Sequence, residues 1–453
     1  MVAWPFKYLL QLLLILYHMN LLSSQSVHDH ATAPASWINN SRSIINGTWS
    51  ESFRAIILLK EISESSYDIS FFACGFFLHP GNDTFFFFAI GIVHLLIYSH
   101  NDTSVDVDLV WFTNRNKPVG EGATLNLLSS DGDLILREAD GTQVWSTNTF
   151  NTSMAGIKLM ETGNLVLYDK FNRTIWQSFD HPVDTLLPGK KLMAGQKLVA
   201  RVSTDDWTEG DYYLTVTSHG LFAFYQSNMP QMYFKFLVQG TGESTDTSYV
   251  KFINGTLALY ISSTEPSEPD AVLLKPSRMQ YMKFDPDGHF RVYSGINGDI
   301  AEPVDLFANF LSACDYPNAS GNFGLCVNGL CSCPGGFVRA DVSTDQNDNG
   351  CMEISQTTCT DPHSYGFLQL ADVYYFNYVD NDAAVLKGTN VESCKEACLK
   401  NCSCKAALFW YFNYVSHGNC FLPSPVFSLI SDGKERNVYQ SSAFIKFRTI
   451  GQT

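Results

Sequence analysis

Five times between residues 130 and 293 the chain repeats one short pattern, a glycine-bearing turn followed by an alternating apolar strand. The copies are Ser130-Asp-Gly-Asp-Leu-Ile-Leu136, Glu161-Thr-Gly-Asn-Leu-Val-Leu-Tyr168, Ser218-His-Gly-Leu-Phe-Ala-Phe-Tyr225, Asn254-Gly-Thr-Leu-Ala-Leu-Tyr260 and Asp287-Gly-His-Phe-Arg-Val-Tyr293. Glycine permits the positive φ of a tight turn, and alternation puts every second side chain on one face. Recurring turn–strand units of this kind argue for a closed or prism-like antiparallel β architecture. A chain of 453 residues has room for two to four domains. The Pro- and Gly-containing stretch Trp176 to Gly189 reads as the passage between two β domains, or else as a long internal loop of one large β domain.

The compartment is read from the ends and the sulfurs. Lys7 precedes an apolar run, Tyr8 to Tyr17, and Leu21-Leu22-Ser23-Ser24 offers small residues for cleavage. Residues 1–24 therefore read as a secretory signal, the alternative being an uncleaved signal anchor. The most apolar later run, Phe85 to Tyr98, is shorter than the ~20 residues a spanning helix needs. It reads as a buried strand pair, so no membrane span is expected on this chain. Of 12 cysteines, all but Cys74 fall between Cys314 and Cys420. This predicts a disulfide-poor β-rich front and a disulfide-rich back in a secreted, extracellular protein. Sequons at Asn39, Asn46, Asn82, Asn101, Asn151, Asn172, Asn254, Asn318 and Asn401 predict a glycoprotein with those asparagines exposed. The formal charge of −16 carries no basic footprint, which excludes nucleic acid as a partner but selects no other ligand.

Cys314 to Cys351 is small and glycine-rich, a module held by disulfides rather than by a core. In the last module, Glu392 to Leu399 predicts a helix. Cys394 and Cys398 share one face of it at i, i+4, so both are expected to reach the same neighbouring strand. Asn401 to Cys404 ends the helix, and an aromatic strand follows over Ala406 to Tyr411. Catalytic signatures are missing: there is no G-x-S-x-G, no H-E-x-x-H, no phosphate loop and no kinase catalytic loop. Asp180 and His181 read as structural polar contacts. Asp345 to Gly350 matches the start of a calcium loop, but Gln356 stands where the bidentate Glu belongs and Cys351 interrupts it, so it reads as a polar loop. Cys331-x-Cys333 and Cys402-x-Cys404 show no closed zinc set. No enzyme activity, cofactor or metal is expected.

Several segments resemble the extracellular part of plant receptor-like serine/threonine kinases with bulb-type (G-type) lectin domains, relatives of the S-locus glycoproteins. Leu109-Val-Trp-Phe-Thr-Asn-Arg-Asn-Lys-Pro118, Trp145-Ser-Thr-Asn148 and Gly163 to Leu167 resemble the first lectin domain. Trp176-Gln-Ser-Phe-Asp-His-Pro-Val-Asp-Thr-Leu-Leu-Pro-Gly189 is the most specific match. Cys314 to Phe337 resembles an EGF-like segment and Cys394 to Ala407 a PAN/apple helix and hairpin. The resemblance implies a mainly β fold of two tandem β-prism (bulb-type lectin) domains over 40–170 and 171–295. An EGF-like segment over 310–352 and a PAN/apple α+β module over 359–447 follow. The membrane span and kinase usual in that family do not follow Thr453. This reads as a truncated or secreted relative, or as part of a longer gene product.

The family's mannose motif, Gln-x-Asp-x-Asn-x-Val-x-Tyr, would place five side chains on one strand face. Here it reads Ser129, Asp131, Asp133, Ile135, Arg137, and then Met160, Thr162, Asn164, Val166, Tyr168. The remaining repeats keep only Tyr225, Tyr260 or Tyr293. The candidate carbohydrate residues are Asn164, Val166 and Tyr168, with Asp131 and Asp133 behind them, and the implied ligand is a mannose-type or cell-wall glycan. The resemblance also implies the disulfides Cys314–Cys326, Cys333–Cys351, Cys394–Cys420, Cys398–Cys404 and Cys359–Cys402. Ser320 stands at the family's second EGF cysteine, which leaves Cys331 unmatched. Cys331 and Cys74 are then free, paired elsewhere, or bonded to each other. The PAN-like module implies homo- or hetero-dimerisation, or a spacer.

Overall fold

The computed structural model describes residues 28–40, 53–64, 68–99, 102–129, 132–238, 247–253, 256–274, 281–293, 302–340, 350–353, 365–431 and 439–448. The fold is mainly β, with one α-helix among the described residues. The chain forms two compact units. The larger holds 1–210, 241–286 and 290–304, and the smaller holds 211–240, 287–289 and 305–453.

Twelve strands open the larger unit: β1 His30–Thr32, β2 Ala35–Ile38, β3 Phe53–Glu64, β4 Asp68–His79, β5 Asn82–Ser99, β6 Asp102–Phe112, β7 Thr124–Leu128, β8 Asp133–Arg137, β9 Gln143–Ser146, β10 Met154–Leu159, β11 Leu165–Asp169 and β12 Thr174–Gln177. They make three four-stranded sheets, β3-β4-β5-β6, β2-β7-β8-β9 and β1-β10-β11-β12. The first two strands precede residue 40 and supply an edge to two different sheets, pairing with β10 and β7. Alternation sets the inward face. Leu125, Leu127, Leu134, Leu136, Leu165 and Leu167 are all fully buried, and they meet Phe86, Phe88 and Ile90 in one core.

The sheet of β4 and β5 is covered on both faces. Phe76, Phe86 and Phe88 face that shared core, while Phe77, Phe87, Ala89 and Val93 pack with Leu109 and Phe112 in a second cluster. A strand buried on both faces reads as a continuous apolar run rather than an alternating one. The Phe85 to Tyr98 run is accordingly one strand and not the expected pair; it lies within the 18 residues of β5, hydrogen-bonded to β4 and β6. Its single glycine makes no turn. A Cβ on Gly91 would sit 3.0 Å from the Phe77 ring, so glycine here serves close packing.

The segment after β12 turns into the core at Asp184, after the exposed Asp180 and His181. Asp184, Thr185 and Leu186 have no exposed area. Thr185–Leu186 pairs with Tyr281–Phe284, and Lys191–Met193 pairs with Tyr249–Ile253. Asp180 accepts from the Gln177 amide through Oδ1 and from Gln196 through its carbonyl, and the His181 carbonyl accepts from Trp111 Nε1.

In the smaller unit Gly220–Tyr225 lies between Tyr212–Thr217 and Gln231–Leu237. A five-stranded sheet follows, ordered Tyr365–Ala371, Gln440–Arg448, Ala406–Tyr411, Gly418–Phe421 and Leu386–Thr389. The helix Val391–Lys400 packs on it, and the Asn390 side chain caps it by accepting from Ser393 N. Four disulfides join described residues: Cys314–Cys326, Cys333–Cys351, Cys394–Cys420 and Cys398–Cys404. The two helix cysteines reach different elements, not one strand. Cys420 lies in Gly418–Phe421, whereas Cys404 lies in the turn before Ala406–Tyr411. One helical turn between Cys394 and Cys398 is enough to bring each against a different neighbour. Cys402 is disulfide-bonded, and Cys359 lies outside the described residues. Cys74 and Cys331 are both free, so no bond joins them.

The sequons divide. Asn82, Asn151, Asn172, Asn318 and Asn401 are exposed. Asn39 is not: it has 0% exposure, its amide donates to the Gly120 carbonyl, and its backbone N–H donates to Ala123. The residue that leaves β2 is closed over by the 120–123 turn, which corrects the expectation of an exposed Asn39. Asn46, Asn101 and Asn254 lie outside the described residues, as do the leader 1–24, Asp345 to Asn349 and Gln356.

Candidate functional site

The strand-face candidates come first. Asp131 lies outside the described residues. Asp133 is buried, and its carboxylate accepts from Thr147 Oγ1 at 2.6 Å and from Leu134 N at 3.0 Å. It pins the segment that follows β9. Asn164 is buried as well, with both ends of its amide in use. Nδ2 donates to Gln177 Oε1 at 2.8 Å, and Oδ1 accepts from Ser178 Oγ and Phe179 N, each at 3.2 Å. Val166 is buried beside it. Tyr168 is half-buried over Gly156, with the Lys158 ammonium 5.3 Å from its ring centroid, and its hydroxyl makes no hydrogen bond among the described residues. The pleat thus brings Asn164, Val166 and Tyr168 to one face, but among them Tyr168 alone keeps an unspent polar group.

The later repeats show how a retained tyrosine can be consumed. Each pairs across the strands with a second tyrosine: Tyr225 with Tyr212, Tyr260 with Tyr249, and Tyr293 with Tyr281, at ring separations of 5.0, 4.8 and 5.3 Å. A carboxylate attends each pair. Tyr225 donates to Asp211 at 2.8 Å, Tyr249 to Glu265 at 3.2 Å, and Tyr293 to Asp285 at 2.8 Å. Glu265 is also bridged by Lys191 and Lys251, whose hydrogen bonds hold its carboxyl down to about 2. The hydroxyls of Tyr225, Tyr249 and Tyr293 and their carboxylates are satisfied within the chain.

A different constellation lies where the three sheets of β1–β12 meet. Their last strands, β6, β9 and β12, each contribute one tryptophan: Trp111, Trp145 and Trp176. The three rings stand edge to face, with centroids 5.8 to 6.3 Å apart. The exposed His181 ring stacks on Trp176 at 5.1 Å and 16°. Partial burial draws its pKa below the ordinary value with help from Lys190, against the opposing charge of Asp180. The rings line a cleft of about 380 Å³, rimmed by Asn116, Lys117, Asn148 and Glu209. Asn114 and Arg115 also border it, but they are spent. Asn114 bonds the backbone of Phe86, Phe88 and Lys117, and Arg115 donates to the carbonyls of Val199, Ala200 and Trp207. The three tryptophans are far apart in sequence, and strand periodicity alone does not join them. The signal was present: Trp111-Phe-Thr-Asn114 and Trp145-Ser-Thr-Asn148 are one motif placed at the end of two sheets, and Trp176-Gln-Ser is its third copy.

Comparison with known proteins agrees with this architecture. Residues 108–208 match the D-mannose binding lectin family, and residues 359–422 match the PAN-like domain. A G-type lectin S-receptor-like serine/threonine-protein kinase of Arabidopsis thaliana is 28% identical over 80% of this chain, which spans 40% of that protein's length. EP1-like glycoproteins 3 and 4 of the same plant are each 30% identical over 69% and 72% of this chain, covering 73% and 75% of their own. A monomeric mannose-binding lectin from Gastrodia elata aligns with 25% of this chain and 94% of its own at 20% identity. Its TM-score of 0.14 is too low to carry an argument. The chain belongs to the family of bulb-type lectin and PAN-domain proteins that includes the EP1-like glycoproteins and the G-type lectin S-receptor-like kinases.

Proposed function

We propose that this protein is an extracellular lectin-like glycoprotein, secreted to the apoplast or displayed at the cell surface, that recognises a cell-wall carbohydrate. The match of residues 108–208 to the mannose-binding lectin family carries the reading, because that stretch holds β7 to β12, the end of β6 and every residue of the cleft lining but Glu209. The disulfides support the compartment, since such bonds persist where thiols are oxidised. A glycan array probed with the full secreted chain tests it. Binding to mannose-type or other cell-wall glycans, competed by the free sugar, is the expected result, and a blank array rejects the reading.

A second reading, partner or self-association through the PAN module, is favoured by one observation. The loop between Ala406–Tyr411 and Gly418–Phe421 exposes Phe412, Tyr414 and Val415, with Tyr414 at 73%. Light scattering of the full chain over a concentration series is its measurement. Dimerisation abolished by Tyr414→Ser supports it, and a monomer at every concentration counts against self-association.

A further inference from the structure

We propose that the tryptophan cleft of the larger unit is a carbohydrate site, holding one terminal sugar residue of a glycan. The inference rests on the lectin reading above and assigns it to a place other than the repeated strand faces.

The strand faces have little left to offer. Asn164 and Asp133 are buried and satisfied internally, Tyr225 and Tyr293 donate to carboxylates, and Tyr260 is buried in its stack with Tyr249. The cleft is the converse. Trp111 and Trp176 are buried in the core beneath it and His181 stacks on Trp176, so Trp145 is the indole left partly exposed, and its negative face suits the polarised C–H groups of a sugar ring. The N–H groups of Trp145 and Trp176 make no hydrogen bond among the described residues, and neither belongs to the buried unpaired polar atoms. Asn116 and Asn148 use their carbonyl oxygens internally, accepting from Glu209 N and Ser146 Oγ, and their N–H₂ groups are unspent. Four donors therefore border the cleft, with the Glu209 carboxylate as an acceptor. A sugar hydroxyl both donates and accepts, and this set fits it.

Charge and size narrow the class. Lys117 and Glu209 both line the cleft and carry one charge of each sign, and the Arg115 guanidinium is engaged with backbone carbonyls. No net cation remains to select a phosphate or carboxylate, so the ligand is neutral. At about 380 Å³ the cleft is near the lower end of ligand pockets, which suits one ring rather than a branched chain.

The test titrates the full chain with the methyl glycosides of α-D-mannose, β-D-glucose and β-D-galactose, read by tryptophan fluorescence and by calorimetry. Trp145→Phe and His181→Ala alter the platform, and Asn148→Gly removes a rim donor at a residue with φ of +52°, which glycine adopts readily. Thermal melting checks that each variant folds. Tyr168→Ala is the strand-face control. One glycoside is expected to shift the fluorescence, with its Kd raised about tenfold in Trp145→Phe and unchanged in Tyr168→Ala. Array-positive protein whose binding survives all three folded cleft variants, is lost in Tyr168→Ala, or titrates with none of the three glycosides overturns the cleft while leaving the lectin reading intact. A blank array removes both.

Discussion

Asp184 shows what one residue can be asked to do inside a β protein. It has no exposed area, yet it is charged. Burial pushes its carboxyl up, but the charges of Arg201, Lys283 and Arg115 outweigh that and hold it below the ordinary value. Arg201 bonds it at 2.7 Å and continues to the Leu109 carbonyl. Removing one partner of such a pair leaves a buried cation uncompensated, at a cost of about 3–5 kcal/mol. Asp184→Asn is therefore expected to lower unfolding free energy at pH 7 by about that much in urea titrations. The sign with pH follows from linkage. A carboxyl with a depressed folded pKa stabilises above its unfolded value, and the contribution is lost as pH falls through the folded one. The native protein is expected to lose stability on acidification more steeply than Asp184→Asn. Equal stability at pH 7 and equal acid slopes would discard this account.

At the scale of elements, the hairpin Leu325–Val327 and Leu330–Ser332 carries Cys326, which is bonded, and Cys331, which is not. The Ser320 hydroxyl donates to the Cys331 sulfur, and that sulfur lies 3.1 Å from the Ala319 carbonyl. Serine thus occupies the place from which a second sulfur would reach Cys331. Ser320→Cys is expected to close that bond and add about 2–3 kcal/mol for a loop of this length. Thiol titration in denaturant should fall from two free thiols to one, with Asn318→Gln as the control for the altered sequon. Three free thiols would show that the geometry does not support the bond. The unmatched Cys331 was legible through the resemblance to an EGF-like segment, which puts Ser320 where a second cysteine usually stands. The alternating repeats were legible too, since each of those strands buries one face. Elements buried on both faces, such as β5, carry no period to read, and their extent came only from hydrogen bonding to β4 and β6. The site was harder still. Asn164 matches a binding pattern by type and spacing and Asp133 by spacing alone, but whether either polar group faces a ligand or its own chain is decided by Gln177, Ser178 and Thr147, which no strand pattern includes.

Across the whole molecule the two units are stabilised by different means. The larger has extensive aromatic and aliphatic clusters, and its one described cysteine, Cys74, is a free thiol whose pKa is raised by burial. All four observed disulfides lie in the smaller unit, closing loops of 12, 18, 26 and 6 residues. Reduction should act on one unit and spare the other. Loss of native bonds from a small secreted module typically costs about 2–5 kcal/mol, often enough to abolish its folding. Scanning calorimetry with and without a thiol-free reductant is expected to show two transitions, one lowered or lost on reduction and the other unmoved. Limited proteolysis of the reduced chain should then cut within 305–453 first. A single transition that shifts as a whole, or two that both stay in place, would contradict a division in which sulfur holds one unit and packing the other.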